Sequence, residues 1–366
     1  MFTDEHWPGT ARTQTWATLA DLWETARQRL PDDVWDFLVG GSGDETTLRE
    51  NCSAFSGWRL RPRVMSGHAP PDLRTSFLGI DLAHPVLTAP FGAEGLFHDE
   101  GHLAVARANA AAGAASIVPE ASTWSLEEVA DAAPEAARVF QLHPMGRPEH
   151  VLHAIRRAEA AGYTALCFTC DCPTAGWRER NMRNGFSLGP DEIGGNYPMG
   201  GPVAYEDVFG QLFRRDDRVW SWDELAAVCA QTRLPWMAKG ILTAEDARAA
   251  VAAGASAVIV STHGGRQLDR APAALTQLPE VVAAVEGRAL VALDSGIRRG
   301  ADVVTALALG ADVVLVGRLA AVALAAGGQA GVERMHVLLR EEMRTILMLL
   351  GVPSVRALDR TLLQAA

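Results

Sequence analysis

From residue 86 onward the chain repeats one unit: a short run of small and β-branched apolar residues, then an alanine-rich stretch with helical spacing. Short apolar runs of this kind are what buried strands look like in sequence, and the stretches between them supply connecting helices. The strand candidates are Val86–Ala89, Ala115–Val118, Arg138–Leu142, Ala165–Thr169, Pro235–Ala238, Ala257–Val260, Ala289–Leu293 and Val313–Val316. Helical stretches such as 101–112, 148–161, 243–253 and 300–309 lie between them. Eight such units over roughly 250 residues predict a single α/β domain, a (β/α)8 TIM barrel. A doubly wound open sheet is the alternative, but no Gly-x-Gly-x-x-Gly follows the first strand candidate.

Two segments fall outside the repeat. Residues 14–40 read as helices, first with a Trp16/Leu19/Leu22/Trp23 apolar face, then with Pro31 opening a second helix through Leu38. Gly40-Gly41-Ser42-Gly43 stops it; without a lysine this is no nucleotide-binding loop. Residues 44–85 read as an irregular, arginine-bearing cap, so that 1–85 are N-terminal helices and cap and 86–350 the barrel. The spacing breaks once more at 174–220, a Gly/Pro/aromatic insertion after the fourth strand that is expected to act as a lid.

Composition narrows the function. With 33 Lys+Arg against 44 Asp+Glu and no basic run, nucleic acid is not expected as a partner. Met1–His6 is acidic and lacks the apolar core of a secretory signal, and no apolar run reaches membrane-spanning length. Five cysteines without a disulfide framework suit a reducing compartment, and a cytoplasmic location is expected. Cys167, Cys170 and Cys172 invite a metal reading, but strand alternation puts Cys167 on the face opposite the other two, and buried thiols are expected. His98-Asp99-Glu100-Gly101-His102 has its glutamate misplaced for a zinc-protease helix and reads as structural, so no metal is expected.

In a barrel of this type the polar residues just past each strand gather at one mouth. They are Gln141 and His143 from the third strand; Thr169 and Asp171 from the fourth; Lys239 from the fifth; and Ser261, His263 and Arg266 from the sixth. Asp294-Ser295-Gly296-Ile297-Arg298 and Gly317-Arg318 follow the seventh and eighth, where such barrels commonly hold a phosphate. His263 can exchange a proton near neutral pH, and Arg266 offers a planar fork to a carboxylate or phosphate. Together the set suggests a phosphorylated cofactor with a substrate anion beside it. Residue by residue, blander roles stay open: a surface lysine at 239, a turn-capping Asp171, a solvated Arg178, a Gln141 that bridges backbone groups.

Ala238-Lys239-Gly240, Ser261-Thr262-His263-Gly264-Gly265-Arg266-Gln267-Leu268-Asp269 and Asp294–Val303 closely resemble the FMN-dependent α-hydroxy-acid oxidases and dehydrogenases, the group of glycolate, lactate and hydroxymandelate oxidases. The resemblance extends from Leu30-Pro31 to about residue 350. It implies non-covalent FMN, with Ala89, Pro90, Phe91 and Gly92 lining the ring system and Gln141, Thr169 and Ser261 bonding to it. Lys239 would stabilise negative charge on the flavin, and Asp294, Ser295, Gly296, Ile297, Arg298, Gly317 and Arg318 would hold the phosphate. His263 would be the base, Asp171 its orienting carboxylate, and Arg178 with Arg266 the clamp on a carboxylic acid substrate. Electrons would pass to oxygen or another acceptor, and a homo-oligomer, a tetramer in the family, is implied.

Departures from the family pattern cluster on the substrate side. Thr262 stands where an asparagine is usual, Phe37 and His143 where tyrosines are, and Ala121 where a tryptophan often is. Phe37 cannot donate a hydrogen bond, and His143 imitates a tyrosine only with a ring N–H pointing inward. Phe37, Ala121 and His143 are therefore the expected specificity residues, and the expected substrate is a 2-hydroxy acid larger or more aromatic than lactate. Three alternatives remain: a flavin enzyme acting on another CH–OH or CH–NH substrate of a biosynthetic pathway, a non-flavin phosphate-binding barrel, and a ligand-binding pseudoenzyme.

Overall fold

The eight apolar runs close into a parallel barrel in the computed structural model, which describes residues 15–213 and 218–366. The strands are Val86–Thr88 (β1), Ser116–Val118 (β2), Arg138–Leu142 (β3), Ala165–Thr169 (β4), Trp236–Ile241 (β5), Ala257–Val260 (β6), Leu290–Leu293 (β7) and Val313–Val316 (β8). Each pairs with the next in sequence, and β8 returns to β1 through Val314 opposite Val86 and Val316 opposite Thr88. The doubly wound alternative is thereby excluded. The reading of Met1–His6 falls outside the described residues.

Alternation along each strand separates two cores. Leu87, Ile117, Val139, Cys167, Met237, Ile259, Ala292 and Leu315 share the barrel interior, and Val86, Val118, Phe140, Phe168, Val258 and Val316 pack in the cluster formed with the helices. The floor of the interior is closed by a hairpin, Thr75–Phe77 with Ile80–Leu82, whose Phe77, Ile80 and Leu82 join the interior cluster. The stretch 44–85 is thus more regular than its sequence suggests. It holds a helix at Thr46–Ser53, this hairpin, and a strand at Trp58–Leu60 paired antiparallel with Leu363–Ala365 at the C-terminus. Such pairing across the ends of a chain leaves no local signature.

The two N-terminal helices run from Leu19 to Arg29 and from Asp32 to Val39, the second entered at Pro31 and ended at Gly40. Within the insertion, short helices occur at Glu179–Asn184, Pro190–Ile193 and Tyr205–Phe213. The last barrel helix, Arg318–Leu350, is broken by non-helical backbone at Gly327 and Gly328. No helix among the described residues is long and apolar enough to cross a membrane.

Phe77 is fully buried in the floor, so Phe77→Ala should cost about 3–5 kcal/mol of stability. A thermal unfolding scan should show a clearly lowered midpoint; an unchanged midpoint would mean the hairpin does not seal the interior.

Candidate active site

A cavity of about 530 Å³ opens at the C-terminal ends of the strands, within the range of small-molecule and cofactor sites. Its wall brings together most of the residues singled out by sequence: Ala89, Pro90, Phe91, Gly92, Gln141, Thr169, Lys239, Asp294, Ser295, Gly296, Ile297, Arg298, Gly317 and Arg318. Phe37, Ala121, His143, Arg178, His263 and Arg266 line it as well. Two expected residues stand behind the wall. Ser261 is buried, its hydroxyl accepting from Lys239 Nζ at 3.1 Å and from the His263 N–H at 3.0 Å. Asp171 reaches the cavity only through His263.

His263 follows β6 in a left-handed backbone conformation, φ 55°, which histidine adopts more readily than most side chains. Thr262 secures the turn, its hydroxyl accepting from the Gly265 N–H at 3.1 Å. The ring Nδ1 lies 3.3 Å from Asp171 Oδ1, so the Nδ1–H points at the carboxylate and Nε2 carries the free lone pair. Burial and the Lys239 charge outweigh the pull of Asp171 and bring the imidazole pKa down to about 4. At neutral pH the ring is therefore uncharged and able to accept a proton. Burial pushes the Asp171 carboxyl up, but the His263 and Lys239 charges outweigh it and hold it below its ordinary range. Its Oδ2 is buried without a partner.

Asp171 can come this close because residue 240 is glycine. Gly240 has φ +99°, and a Cβ there would meet the Asp171 Cβ at 2.5 Å. The register of β5 against β6 shifts between Lys239 and Ile241, so the strand runs past Ala238, where the sequence suggested its end. Lys239 lies inside the strand, almost fully buried, with Nζ 3.4 Å from Asp294 Oδ2. Burial opposes its charge, and Asp294 and Asp171 more than restore it, raising its pKa.

The guanidinium groups have a different environment. Arg266 donates to the carbonyls of Phe37 and Gly40, at 2.5 and 3.2 Å. Arg318 donates to those of Leu38, Gly40 and Gly264, at 3.2, 2.9 and 2.8 Å. Arg178 Nε reaches the Arg266 carbonyl at 3.5 Å. Carbonyl oxygens satisfy donors but cancel no charge. Burial and mutual repulsion accordingly depress the pKa of Arg266 and Arg318, and burial that of Arg178. Guanidinium does not deprotonate, so this penalty persists until an anion arrives. Beside them Gly317 caps the N-terminus of the long last helix, where backbone N–H groups add to the anion site.

The wall next to Arg266 is aromatic. Phe37 stacks on Phe186 at 4.8 Å, and the Arg266 guanidinium lies 4.8 Å over the Phe37 ring. Asn181, Met182, Phe186 and Leu188 of the insertion line the same side, though nothing marked them individually in the sequence. Cys172 also lines the cavity: the strand ends at Thr169, and the turn beyond it breaks the alternation that was expected to group Cys172 with Cys170. His143 is held by Glu120, a residue sequence reasoning passed over because it follows β2 without any motif. Among the described residues no group of three potential ligands could hold a metal, and His102 is a buried neutral ring with a pKa near 3 through burial.

Comparison with known proteins gives a consistent picture. A family model described as FMN-dependent dehydrogenase matches residues 26–365. Glycolate oxidase 3 of Arabidopsis thaliana is 41% identical over 347 residues, 92% of each chain. The 4-hydroxymandelate oxidase of Amycolatopsis orientalis is 43% identical over 351 residues, 94% of this chain and 98% of its own. A crystal structure of mandelate oxidase with (S)-2-phenylpropionate superposes with a TM-score of 0.87 at 41% identity, covering 96% of this chain and 99% of the other.

The geometry predicts that His263 titrates near pH 4 in the ligand-free protein, as followed by histidine NMR. Asp171 supports the charged ring, so Asp171→Asn should lower that value further; a rise would contradict the pairing.

Proposed function

The chain belongs to the FMN-dependent dehydrogenase family, and on that premise we propose that its cavity oxidises a 2-hydroxy acid, larger or more aromatic than lactate, to the 2-oxo acid. The observation that carries this reading is a half-buried His263, backed by Asp171 at 3.3 Å, on the same cavity wall as Arg178 and Arg266, whose guanidiniums meet carbonyls rather than carboxylates. A base with a free lone pair beside an anion-seeking cluster is what removal of a proton from a bound hydroxy acid requires.

FMN fits what the residues offer. Arg298, Arg318 and the backbone of Asp294–Ile297 and Gly317 would hold its phosphate, with Lys239 beside the ring system and Ala89–Gly92 along it. When bound, FMN supplies the two-electron acceptor. Arg178 and Arg266 bind the substrate carboxylate and aim the α-carbon into the site. His263 Nε2 takes the hydroxyl proton, and Asp171 holds the ring and stabilises the imidazolium that results. Lys239 supplies fixed positive charge where negative charge develops. The aromatic wall of Phe37 and Phe186, with only a methyl group at Ala121, leaves room for a bulky side chain. Oxygen is the proposed electron acceptor, as the names of the oxidase relatives suggest.

The insertion is proposed as a lid because its residues 175–193 supply much of the cavity wall. The five free cysteines support a cytoplasmic location. Assembly as a homo-tetramer belongs to the same proposal and is open to light scattering. A second reading, another CH–OH or CH–NH substrate, is favoured only by the pairing of His143 with Glu120, and a substrate panel followed by flavin bleaching separates the two.

His263→Ala should slow anaerobic flavin reduction by about 10²–10⁴-fold, the worth of a positioned base; unchanged stopped-flow rates would remove it from the reaction. His143→Tyr should alter the preference among lactate, mandelate and larger acids. An identical ranking of kcat/KM values would show that residue 143 plays no part in selection.

A further inference from the structure

We propose that Glu120, with Tyr197 behind it, keeps His143 as a fixed imidazolium in the substrate half of the cavity, so that the donor facing the reacting oxygen is a cation. The inference rests on the reading of the cavity as a 2-hydroxy-acid site. In that site the resemblance places a neutral tyrosine hydroxyl at this position.

Glu120 is almost fully buried, yet its carboxylate is satisfied on both sides. Oε2 accepts from the backbone N–H of His143 and from its ring Nδ1, each at 2.8 Å. Oε1 accepts from the Tyr197 hydroxyl at 2.5 Å. Its backbone is fixed as well: the Glu120 carbonyl accepts from Asn196 Nδ2 at 2.8 Å, and its N–H donates to Gln141 Oε1 at 3.3 Å. Three donors thus satisfy the carboxylate within the protein. It then holds a partner cation in place, because separating the pair would strand a buried charge.

Among the described residues, no lysine or arginine is paired with the ring. The Gln141 amide nitrogen lies 3.4 Å from both ring nitrogens, and Phe209 meets the ring edge-on at 6.3 Å. Burial opposes the charge, but the bonds to Cys172 and Glu120 outweigh it and raise the imidazole pKa to about 10. The ring lines the cavity, so its charge is available to a bound oxygen.

Two histidines at one mouth therefore have opposite protonation. His263 is neutral and takes the hydroxyl proton; His143 keeps its own proton throughout and stabilises negative charge on the oxygen that loses one. Glu120 and Tyr197 are positioning residues, since they act through His143. A cationic donor tightens the hold on the oxygen as it becomes anionic, which a neutral hydroxyl does less strongly.

The test uses FMN-loaded enzyme labelled with 15N-histidine, His143→Asn serving to assign the signal. In the wild type both ring nitrogens of His143 should remain protonated from pH 6 to 9. In Glu120→Gln the signal should titrate at about pH 6–7, the ordinary histidine range, and Tyr197→Phe should shift it in the same direction by less. With a 2-hydroxy acid substrate, kcat/KM of Glu120→Gln should approach the wild-type value at acid pH. It should fall about tenfold per pH unit above the new midpoint, because the protonated form is the active one. A neutral His143 in the wild type at pH 7.5, or a titration unmoved by Glu120→Gln, overturns the proposal. So does a kcat/KM loss that is equal at every pH. Should Glu120→Gln not fold, Tyr197→Phe carries the same test. If no hydroxy acid bleaches the flavin, the proposed reaction fails, while the NMR titration still decides the state of His143.

Discussion

The contact on which the mouth of the barrel depends is the one between Arg266, Arg318 and the carbonyls that the end of helix Asp32–Val39 leaves without a helical partner. The last turn of a helix carries partial negative charge, so cations there are favourable and the cap is drawn onto the barrel. These guanidiniums also face the cavity, so one pair of side chains ties the cap down and waits for an anion. Their burial without a countercharge costs stability that a bound phosphate or carboxylate returns. Ligand at about 100 times its dissociation constant stabilises a fold by about 2.7 kcal/mol, and here part of that gain is relief of repulsion.

Around one cavity the chain sets one lysine and two histidines against three carboxylates, and of the three His263 alone is left neutral. Lys239 with Asp294 stays charged because two carboxylates share it. His263 with Asp171 is neutral because burial and the repulsion of the Lys239 ammonium outweigh the pull of that carboxylate. His143 is charged because Cys172 and Glu120 together outweigh its burial, and Glu120 is itself held by Tyr197. Residue type alone does not decide protonation; the neighbours of the neighbour do.

That is also where the legibility of the sequence ends. The strands stand out because burial on both faces leaves continuous apolar runs, and their proposed limits fall within a residue or so of those observed, except for β5. There the glycine that relieves Asp171 also carries the ladder two residues beyond Lys239, a consequence of backbone shape rather than of pattern. The site residues were legible where a polar motif follows a strand end, which is why His263, Arg266 and the 294–298 loop were found. Glu120 and Tyr197 were not, because they meet across 77 positions of chain in loops without periodicity. Cys172 was missed because alternation was extended past the end of its strand.

The hairpin under the barrel closes the floor of the interior, with Phe77, Ile80 and Leu82 packed in one apolar cluster with Leu87 and Leu315. The cavity above it is walled by Phe37 and Leu38 of the cap and by side chains from residues 175–193, so a change in either outlying segment reshapes a space that the barrel strands themselves leave untouched.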